Sequence, residues 1–318
     1  MKLTMTAMSG LNRRFPIQLC IASVMFAAAL AGCRQSADTE GSHKRIGVTL
    51  LTVQDKFYQD LRAGLEAEAA KHGYELLISA AERNPDRQSN QIQDFIVQKV
   101  AAIVACPCDS KSVGGSIAEA NDAGIPVFTA DIACTSPIGK VVSHIASDNK
   151  HGGRLAAKLL AEALGGKGTV AILSHPEVTS VQDRVDGFRE EIKNHAGIEI
   201  VQELSADGAR DKAVSIMEDI IQSHPRLAGV FAINDDTALG ALAAIEAAGK
   251  LGKIKIVGYD ATPEARAKIQ DGAIHGDVIQ NPYRIGELTI QAIHDHFSGK
   301  TPAKIIPVAV GTFTKESE

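Results

Sequence analysis

Residues 228–260 have the sequence AGVFAINDDTALGALAAIEAAGKLGKIKIVGYD, in which one helical segment separates two short apolar runs. The runs Ala228–Ile233 and Ile254–Tyr259 are mostly apolar, which is typical of strands that are buried on both faces of a sheet. The segment between them, Asp236–Ala248, is predicted as a helix. A strand, a helix and a second buried strand in this order predict two parallel strands joined by a crossover helix.

The same alternation begins at Arg45 and continues to the end of the chain. Arg45–Thr52 is predicted as the first strand, Phe57–His72 as the first helix, and a run near Ile306–Phe313 as the last strand. About ten strands are predicted in all, which is many for one open twisted sheet. The pattern therefore predicts an α/β fold of two doubly wound parallel-sheet lobes.

The first 33 residues have the features of an export signal. They contain three cationic residues and no acidic one, and their apolar run, Ile17–Ala31, is too short to span a membrane. The run ends in Leu30-Ala31-Gly32-Cys33, which resembles the lipobox of bacterial lipoproteins. This resemblance implies a signal peptide over residues 1–33, a diacylglycerol on Cys33, and a protein anchored by lipid in the cell envelope, periplasmic or extracytoplasmic. An ordinary cleaved signal with an incidental cysteine is the alternative.

The segment after the signal and the net charge limit the function further. Residues 34–44, RQSADTEGSHK, contain no large apolar residue and are predicted to form a flexible tether. Removal of residues 1–33 takes away three cations and no acid, so the formal net charge goes from −5 to −8. Because a nucleic-acid partner requires a basic face, none is expected. About 275 residues remain for the fold, which is enough for two lobes.

Three of the five cysteines, Cys106, Cys108 and Cys134, lie in the predicted fold. The Cys-Pro-Cys spacing does not match a usual zinc site, so no metal is expected. Cys108 and Cys134 follow strands that are predicted to be neighbours, and an exported protein can form disulfides. A Cys108–Cys134 bridge and three small buried thiols remain as alternatives.

Polar residues follow several of the predicted strands. In open α/β sheets ligands bind beyond the carboxyl ends of the strands. Carboxylates and amides can each bind two vicinal hydroxyls, and an aromatic ring can stack on the apolar face of a sugar. A single Asp or Asn in such a place is more often a helix cap, and Asp236 is predicted to be one. The residues that follow strands in this way include Asp55, with Phe57 and Tyr58 behind it, Asp131, Asn234, Asp260 and Gln280.

Motifs along the chain resemble those of the periplasmic ribose-type sugar-binding proteins and occur in the same order. They are His144-Ile-Ala-Ser-Asp-Asn149 with Gly152-Gly153, Asp183-Arg184 with Gly187-Phe188, Ala232-Ile233-Asn234-Asp235 with Ala238-Leu239-Gly240, and Val257-Gly258-Tyr259-Asp260-Ala261-Thr262-Pro263. The resemblance covers residues 45–318 and indicates the type I periplasmic binding fold. Sugar-responsive repressors share this fold, but their helix-turn-helix would have to precede residue 45, where the signal and the tether lie.

This resemblance implies two lobes joined by three crossings that act as a hinge. The first lobe would comprise residues 45–147 and 281–310, and the second residues 148–280 and 311–318. The ligand-contacting residues that the resemblance implies are Asp55, Phe57, Tyr58, Asp131, Arg184, Asn234, Asp260 and Gln280. Ribose binders have Arg where this chain has Ile132, Asn where it has Cys106, and an aromatic residue where it has Gly208. We therefore expect the ligand to be a monosaccharide or polyol, and the sequence does not identify it as ribose.

Together these observations predict a lipid-anchored, monomeric solute-binding protein of an ABC-type sugar importer. It would bind its ligand in the cleft between the lobes and present it to the permease and ATPase subunits, without a cofactor. A binding protein that serves a membrane sensor is the alternative. A hydrolase is disfavoured, because Gly114-Gly115-Ser116-Ile117-Ala118 lacks the last glycine of a nucleophile elbow. We therefore expect no enzymatic activity.

Overall fold

The computed structural model of the chain describes residues 44–317. The predicted signal peptide, Cys33 and residues 34–43 of the predicted tether lie outside the described residues. Among the helices within residues 44–317, none combines the length and the apolar character that a membrane crossing requires.

Residues 44–317 contain twelve strands in two six-stranded sheets. The strands are β1 (Arg45–Leu50), β2 (Glu75–Ala80), β3 (Ala102–Ala105), β4 (Val127–Ala130), β5 (Val141–Ser147), β6 (Lys167–Ser174), β7 (Gly197–Ser205), β8 (Leu227–Ala232), β9 (Lys255–Asp260), β10 (Gly276–Ile279), β11 (Ile305–Val308) and β12 (Gly311–Thr314). The first sheet has the order β11-β5-β4-β3-β1-β2 and the second the order β12-β10-β9-β8-β6-β7. All neighbours are parallel except β10 and β12, which are antiparallel.

The helices are α1 (Lys56–Lys71), α2 (Pro85–Val97), α3 (Gly114–Asp122), α4 (Asn149–Ala163), α5 (Thr179–Ile192), α6 (Arg210–Ser223), α7 (Asp235–Ala247), α8 (Pro263–Gln270) and α9 (Pro282–Phe297). Most strands are followed by one helix, and central strands such as β3 and β4 are buried at every residue. This burial explains why the strand sequences are continuous apolar runs. The predicted fold class, α/β with two doubly wound lobes, is confirmed.

The C-terminal run that the sequence indicated as one strand near Ile306–Phe313 is two strands in two different sheets. β11 pairs with β5 in the first sheet, and β12 pairs with β10 in the second. The chain therefore passes between the sheets three times: after β5, after β10, and between β11 and β12. An apolar run does not encode which sheet each half joins, so the division came only from the family resemblance, which implied a crossing at residues 310–311. The residue limits of the two lobes given above stay a prediction.

Helices α4 and α5 are packed closely enough to require glycine at their contact. An added Cβ at Gly153 would lie 2.0 Å from the carbonyl oxygen of Arg184, and one at Gly187 would lie 2.0 Å from the carbonyl oxygen of Lys150. Contacts below 3 Å with backbone atoms cannot be relieved by a rotamer change, so larger residues would force the helices apart. This close contact fixes the position of α5, the helix that carries Arg184.

The three cysteines of the fold are free thiols. Cys106 and Cys108 are buried, Cys134 is half-buried, and the Cys108–Cys134 bridge is absent from the structure. Of the two alternatives that the sequence left open, the structure therefore has free thiols rather than the bridge. Neighbouring strand ends bring cysteines near one another, but they do not set the direction of the side chains that a disulfide needs.

Candidate functional site

One cavity lies where the carboxyl ends of strands from both sheets face each other. The empty space in it is about 440 Å³, including the part that opens to solvent. All eight residues predicted to bind ligand line it: Asp55, Phe57, Tyr58, Asp131, Arg184, Asn234, Asp260 and Gln280. That they contact a ligand stays a prediction.

Asp131, directly after β4, is the central acceptor on the side of the first sheet. Its Oδ2 accepts a 2.7 Å hydrogen bond from the Tyr58 hydroxyl, while its Oδ1 is buried and has no partner among residues 44–317. Burial raises the pKa of Asp131, and the nearby Arg184 opposes this shift. A buried acceptor of this kind costs free energy unless a donor reaches it. Asp131 Oδ1 is therefore suited to accept a hydrogen bond from a ligand.

Arg184 on α5 is held rigidly on the side of the second sheet. Its Nε donates to Asn149 Oδ1 at 2.8 Å, and its Nη1 donates to the Ile233 carbonyl oxygen at 2.7 Å. The guanidinium carbon lies 3.9 Å from the centroid of the Tyr259 ring. These contacts fix the plane of the guanidinium group, so it can donate to ligand oxygens without further loss of side-chain entropy.

Asp260 and Gln280 form a second pair at the ends of β9 and β10. Gln280 Nε2 donates to Asp260 Oδ1 at 2.6 Å, and Gln280 Oε1 is buried without a partner among the described residues. Asp260 has φ 119° and Ala261 has φ 57°, which are strained conformations for residues other than glycine. Burial, and next the neighbouring Asp235, raise the pKa of Asp260 well above its ordinary value.

Asn234 has a structural role in addition to its place in the cavity. It is the N-cap of α7: its Oδ1 accepts from the Thr237 backbone N–H at 3.0 Å and from the Thr237 hydroxyl at 2.8 Å. The prediction that Asp236 is the cap is wrong, because α7 begins at Asp235 and its N-cap is Asn234, two residues before Asp236. Asp236 instead forms a 3.0 Å ion pair with Arg210 at the surface.

Arg83 is a cavity residue that the sequence analysis missed. Its Nη2 donates to Asp55 Oδ2 at 2.7 Å and to the Gly208 carbonyl oxygen at 3.3 Å, and its Nε is buried without a partner in residues 44–317. Burial raises the pKa of Asp55 to about 6, although Arg83 acts in the opposite direction. Arg83 follows β2, so the strand-end rule applied to that strand would have found it.

His175, Glu177 and Asp207 lie close together at the rim and are of the types that bind metals. Asp207, however, already accepts hydrogen bonds from Lys212 and Ser205. The Lys212 ammonium already neutralises the Asp207 carboxylate, so we assign no metal to this cluster.

Backbone and hydroxyl groups connect the two sides of the cavity directly. The Ser110 N–H donates to the Glu177 carbonyl oxygen at 3.0 Å, and the Thr179 N–H donates to Ser110 Oγ at 3.0 Å. The Ala133 N–H donates to Thr179 Oγ1 at 2.9 Å. The structure is therefore in a closed arrangement, in which one small ligand would touch Asp131 and Arg184 together.

Comparisons with known proteins agree with this architecture. The family model described as a periplasmic binding protein domain matches residues 46–301. The ribose import binding protein RbsB of Bacillus subtilis (strain 168) is 36% identical over 262 residues, which cover 82% of this chain and 84% of that protein.

Solved structures give the same result. A solute binding protein of an ABC transporter from Agrobacterium vitis, bound with alpha-D-tagatopyranose, has a TM-score of 0.82 and 31% identity, and the match covers 85% of this chain and 94% of that one. The Caulobacter myo-inositol binding protein bound to myo-inositol has a TM-score of 0.80 and 28% identity, with 86% and 94% covered. The predicted resemblance is confirmed, and the chain belongs to the type I periplasmic sugar-binding proteins of ABC importers.

Proposed function

We propose that the chain binds one monosaccharide or polyol in the cavity and presents it to the permease and ATPase subunits of an ABC importer. The observation that carries this proposal is the set of buried, unpartnered polar atoms: Asp131 Oδ1, Gln280 Oε1 and Arg83 Nε. Two are acceptors and one is a donor. A polyhydroxylated ligand satisfies both kinds, because each hydroxyl donates one hydrogen bond and accepts others.

The relatives that bind sugars and polyols support the same ligand class. RbsB is a ribose import binding protein, and the two solved structures hold alpha-D-tagatopyranose and myo-inositol. Phe57 and Tyr58 add aromatic surface at the cavity wall, which suits the apolar face of a sugar ring. A thermal-shift panel of such compounds would identify the ligand within this class.

The mechanism we propose is closure of the two lobes on the ligand, without chemical conversion. A ligand that touches Asp131 on one side and Arg184 on the other makes its full set of contacts only in the closed arrangement. Its binding therefore shifts the population toward that arrangement by the difference in its affinity for the two forms. The closed form is then the one that the membrane subunits receive.

A thermal-shift panel tests the ligand class. D-ribose, D-allose, D-tagatose, xylitol and myo-inositol are each added at millimolar concentration to the chain without residues 1–33. A ligand at 100 times its Kd stabilises the folded state by about 2.7 kcal/mol, so at least one compound is expected to raise Tm by several degrees. Asp131→Ala is expected to reduce the shift, and Asp271→Ala, at an exposed position, to keep it. A panel without any shift would contradict the proposal.

The location we propose is the cell envelope, with the monomeric protein held at a membrane by lipid on Cys33. The lipobox-like sequence at residues 30–33 supports the anchor. A thioether-linked diacylglycerol would be the hydrophobic attachment, so Cys33→Ser is expected to release the protein from membranes or to stop its processing. Fractionation of cells that express the variant measures this, and an unchanged membrane fraction would exclude the anchor.

A further inference from the structure

Two buried carboxyl groups meet directly beneath the turn that carries Asp260. Asp277 on β10 is fully buried and Asp235 on α7 is 3% exposed. Asp277 pairs in register with Gly258 of β9, and a Cβ at Gly258 would lie 3.0 Å from Asp277 Oδ1 and 3.2 Å from Asp235 Oδ1. The missing side chain of Gly258 therefore leaves the space in which the two carboxyl groups come together.

Each of these two groups has one oxygen that accepts a backbone hydrogen bond and one that has no donor. Asp277 Oδ1 accepts from the Val278 N–H at 3.0 Å, and Asp235 Oδ2 accepts from the Thr262 N–H at 2.6 Å. The remaining oxygens, Asp277 Oδ2 and Asp235 Oδ1, are buried and have no donor among the other groups in residues 44–317. Two adjacent buried carboxylates cannot both be ionised, and one protonated group supplies the donor that the other lacks.

The bond from Thr262 to Asp235 connects this pair to the ligand cavity. Thr262 is the N-cap of α8 and comes directly after Asp260 and Ala261, the two residues with positive φ. A strained turn persists only when its surroundings hold it. The Thr262 N–H bond to Asp235 is one such restraint, and the 2.7 Å bond from Arg266 Nε to the Ala261 carbonyl oxygen is another.

We propose that Asp277 is a positioning residue, which shares one proton with Asp235 and thereby holds the Asp260–Thr262 turn in its ligand-binding shape. The proposal rests on the proposed function in one respect, because that function makes Asp260 a ligand contact. Asp277 itself does not line the cavity. It acts through Asp235 and the Thr262 N–H.

The charges around the pair make its proton sensitive to pH. Asp236 on α7 and Asp260 on β9 are acidic neighbours, whereas Arg184 on α5 lies nearer to Asp260. Burial, and next Asp235, raise the pKa of Asp277 well above its ordinary value, and burial raises that of Asp235. The folded pair thus keeps a proton that the unfolded chain has released above about pH 4. Its contribution to stability therefore falls as pH rises toward the raised pKa.

The test uses Asp277→Asn, Asp277→Ala and the matched surface control Asp271→Asn. Asparagine keeps a donor toward Asp235 without a titratable proton, whereas alanine removes the donor. At neutral pH we expect a carbonyl stretching band of a protonated carboxylic acid in the infrared spectrum of the parent protein, and its loss in Asp277→Asn. We also expect Tm to fall less with rising pH in Asp277→Asn than in the parent. Because Asp260 is an acidic neighbour of the pair, the difference between the two proteins reports on the pair together with its coupling to Asp260.

Hydrogen exchange at the Thr262 amide reports on the turn without any ligand. We expect faster exchange in Asp277→Ala, and parent-like exchange in Asp277→Asn and Asp271→Asn. With the tightest binder of the five-compound panel, Asp277→Ala is expected to raise Kd about 10-fold, and Asp277→Asn to change it less than about 2-fold at pH 7. Identical infrared bands and pH slopes in the parent and Asp277→Asn would overturn the shared proton. Parent-like exchange at Thr262 in Asp277→Ala would overturn the positioning role.

The outcomes separate this inference from the proposed function. If none of the five compounds binds, the proposed function fails, while the infrared, Tm and exchange results still decide the role of Asp277. If Asp277→Ala does not fold, Asp277→Asn and the exchange of Thr262 in the parent at high pH decide it. In that case the protection factor of the Thr262 amide, which corrects for the intrinsic pH dependence of exchange, is expected to fall in the parent above the pKa of the pair and to stay constant in Asp277→Asn.

Discussion

Asp131→Ala is the substitution that separates binding from folding most clearly in this protein. The carboxylate lies 4% exposed at the end of β4, with Oδ2 bonded to Tyr58 and Oδ1 free for a ligand. Alanine removes one ligand acceptor on the side of the first sheet and leaves the Tyr58 hydroxyl without its partner. The backbone is a second consideration, because Asp131 has φ 66°, which alanine tolerates less well than aspartate.

The magnitude follows from the kind of hydrogen bond that is lost. Bonds to charged groups are worth about 1.5–3 kcal/mol, so we expect Kd to rise about 10- to 150-fold. Stability responds differently. Burial raises the pKa of Asp131, so its ionised form is unfavourable in the folded state at neutral pH. Removing the charge offsets the loss of the Tyr58 bond and the backbone cost, and we expect Tm to change little.

Titration calorimetry with the tightest binder of the panel measures Kd, and a thermal scan without ligand measures Tm. Asp236→Ala is the control, because this acid lies close in sequence to the cavity residues but pairs with Arg210 at the surface. Asp236 does not line the cavity, so the control is expected to keep its Kd within about 2-fold, and the lost surface ion pair is expected to lower stability by about 1 kcal/mol or less. A larger loss of affinity in Asp236→Ala than in Asp131→Ala would contradict the assignment of Asp131 as a ligand contact.

Three further predictions concern the thiols, the helix contact and the pH response. The denatured protein without residues 1–33 is expected to give three free thiols without reductant, and a count of one would disprove this. In the native state Cys134 should react with a maleimide first, because Cys106 and Cys108 are buried and burial raises the pKa of Cys108 to about 12. Gly153→Ala should lower the free energy of unfolding by about 1–3 kcal/mol, since its Cβ would meet a backbone oxygen of α5 at 2.0 Å, and an unchanged urea midpoint would contradict the contact. Asp55, with a pKa raised to about 6, contributes stability that is present below about pH 4 and is lost as pH rises through 6, so Asp55→Asn should flatten the change in Tm over that range.

The chain pattern predicted the fold well because buried parallel strands are encoded locally. Runs such as β3 and β4 are apolar at both faces, and this signal does not depend on which strands become neighbours. The division of the C-terminal run into β11 and β12 depends on pairing with β5 and β10, which lie far away in sequence. That information is tertiary, and no local spacing contains it.

The site was predictable to the level of residues but not of atoms. The strand-end rule and the family motifs placed Asp131 and Asp260 in one cavity. They did not show that the side-chain oxygen of Asn234 accepts the capping hydrogen bonds of α7, since this depends on the exact residue at which the helix begins. Arg83 was missed because the rule was not applied to the end of β2, and Asp277 was missed because its neighbour Asp235 lies on α7, a contact that no motif contains.

Lobe closure on a sugar is the central claim, and small-angle X-ray scattering with and without saturating ligand tests it most directly. The bonds from Ser110 and Ala133 to Glu177 and Thr179 belong to the closed arrangement described above. We predict that the liganded protein has the scattering curve of this arrangement, and that the free protein has a larger radius of gyration because its cleft opens. Tight binding of a sugar with no change in the radius of gyration would contradict the account.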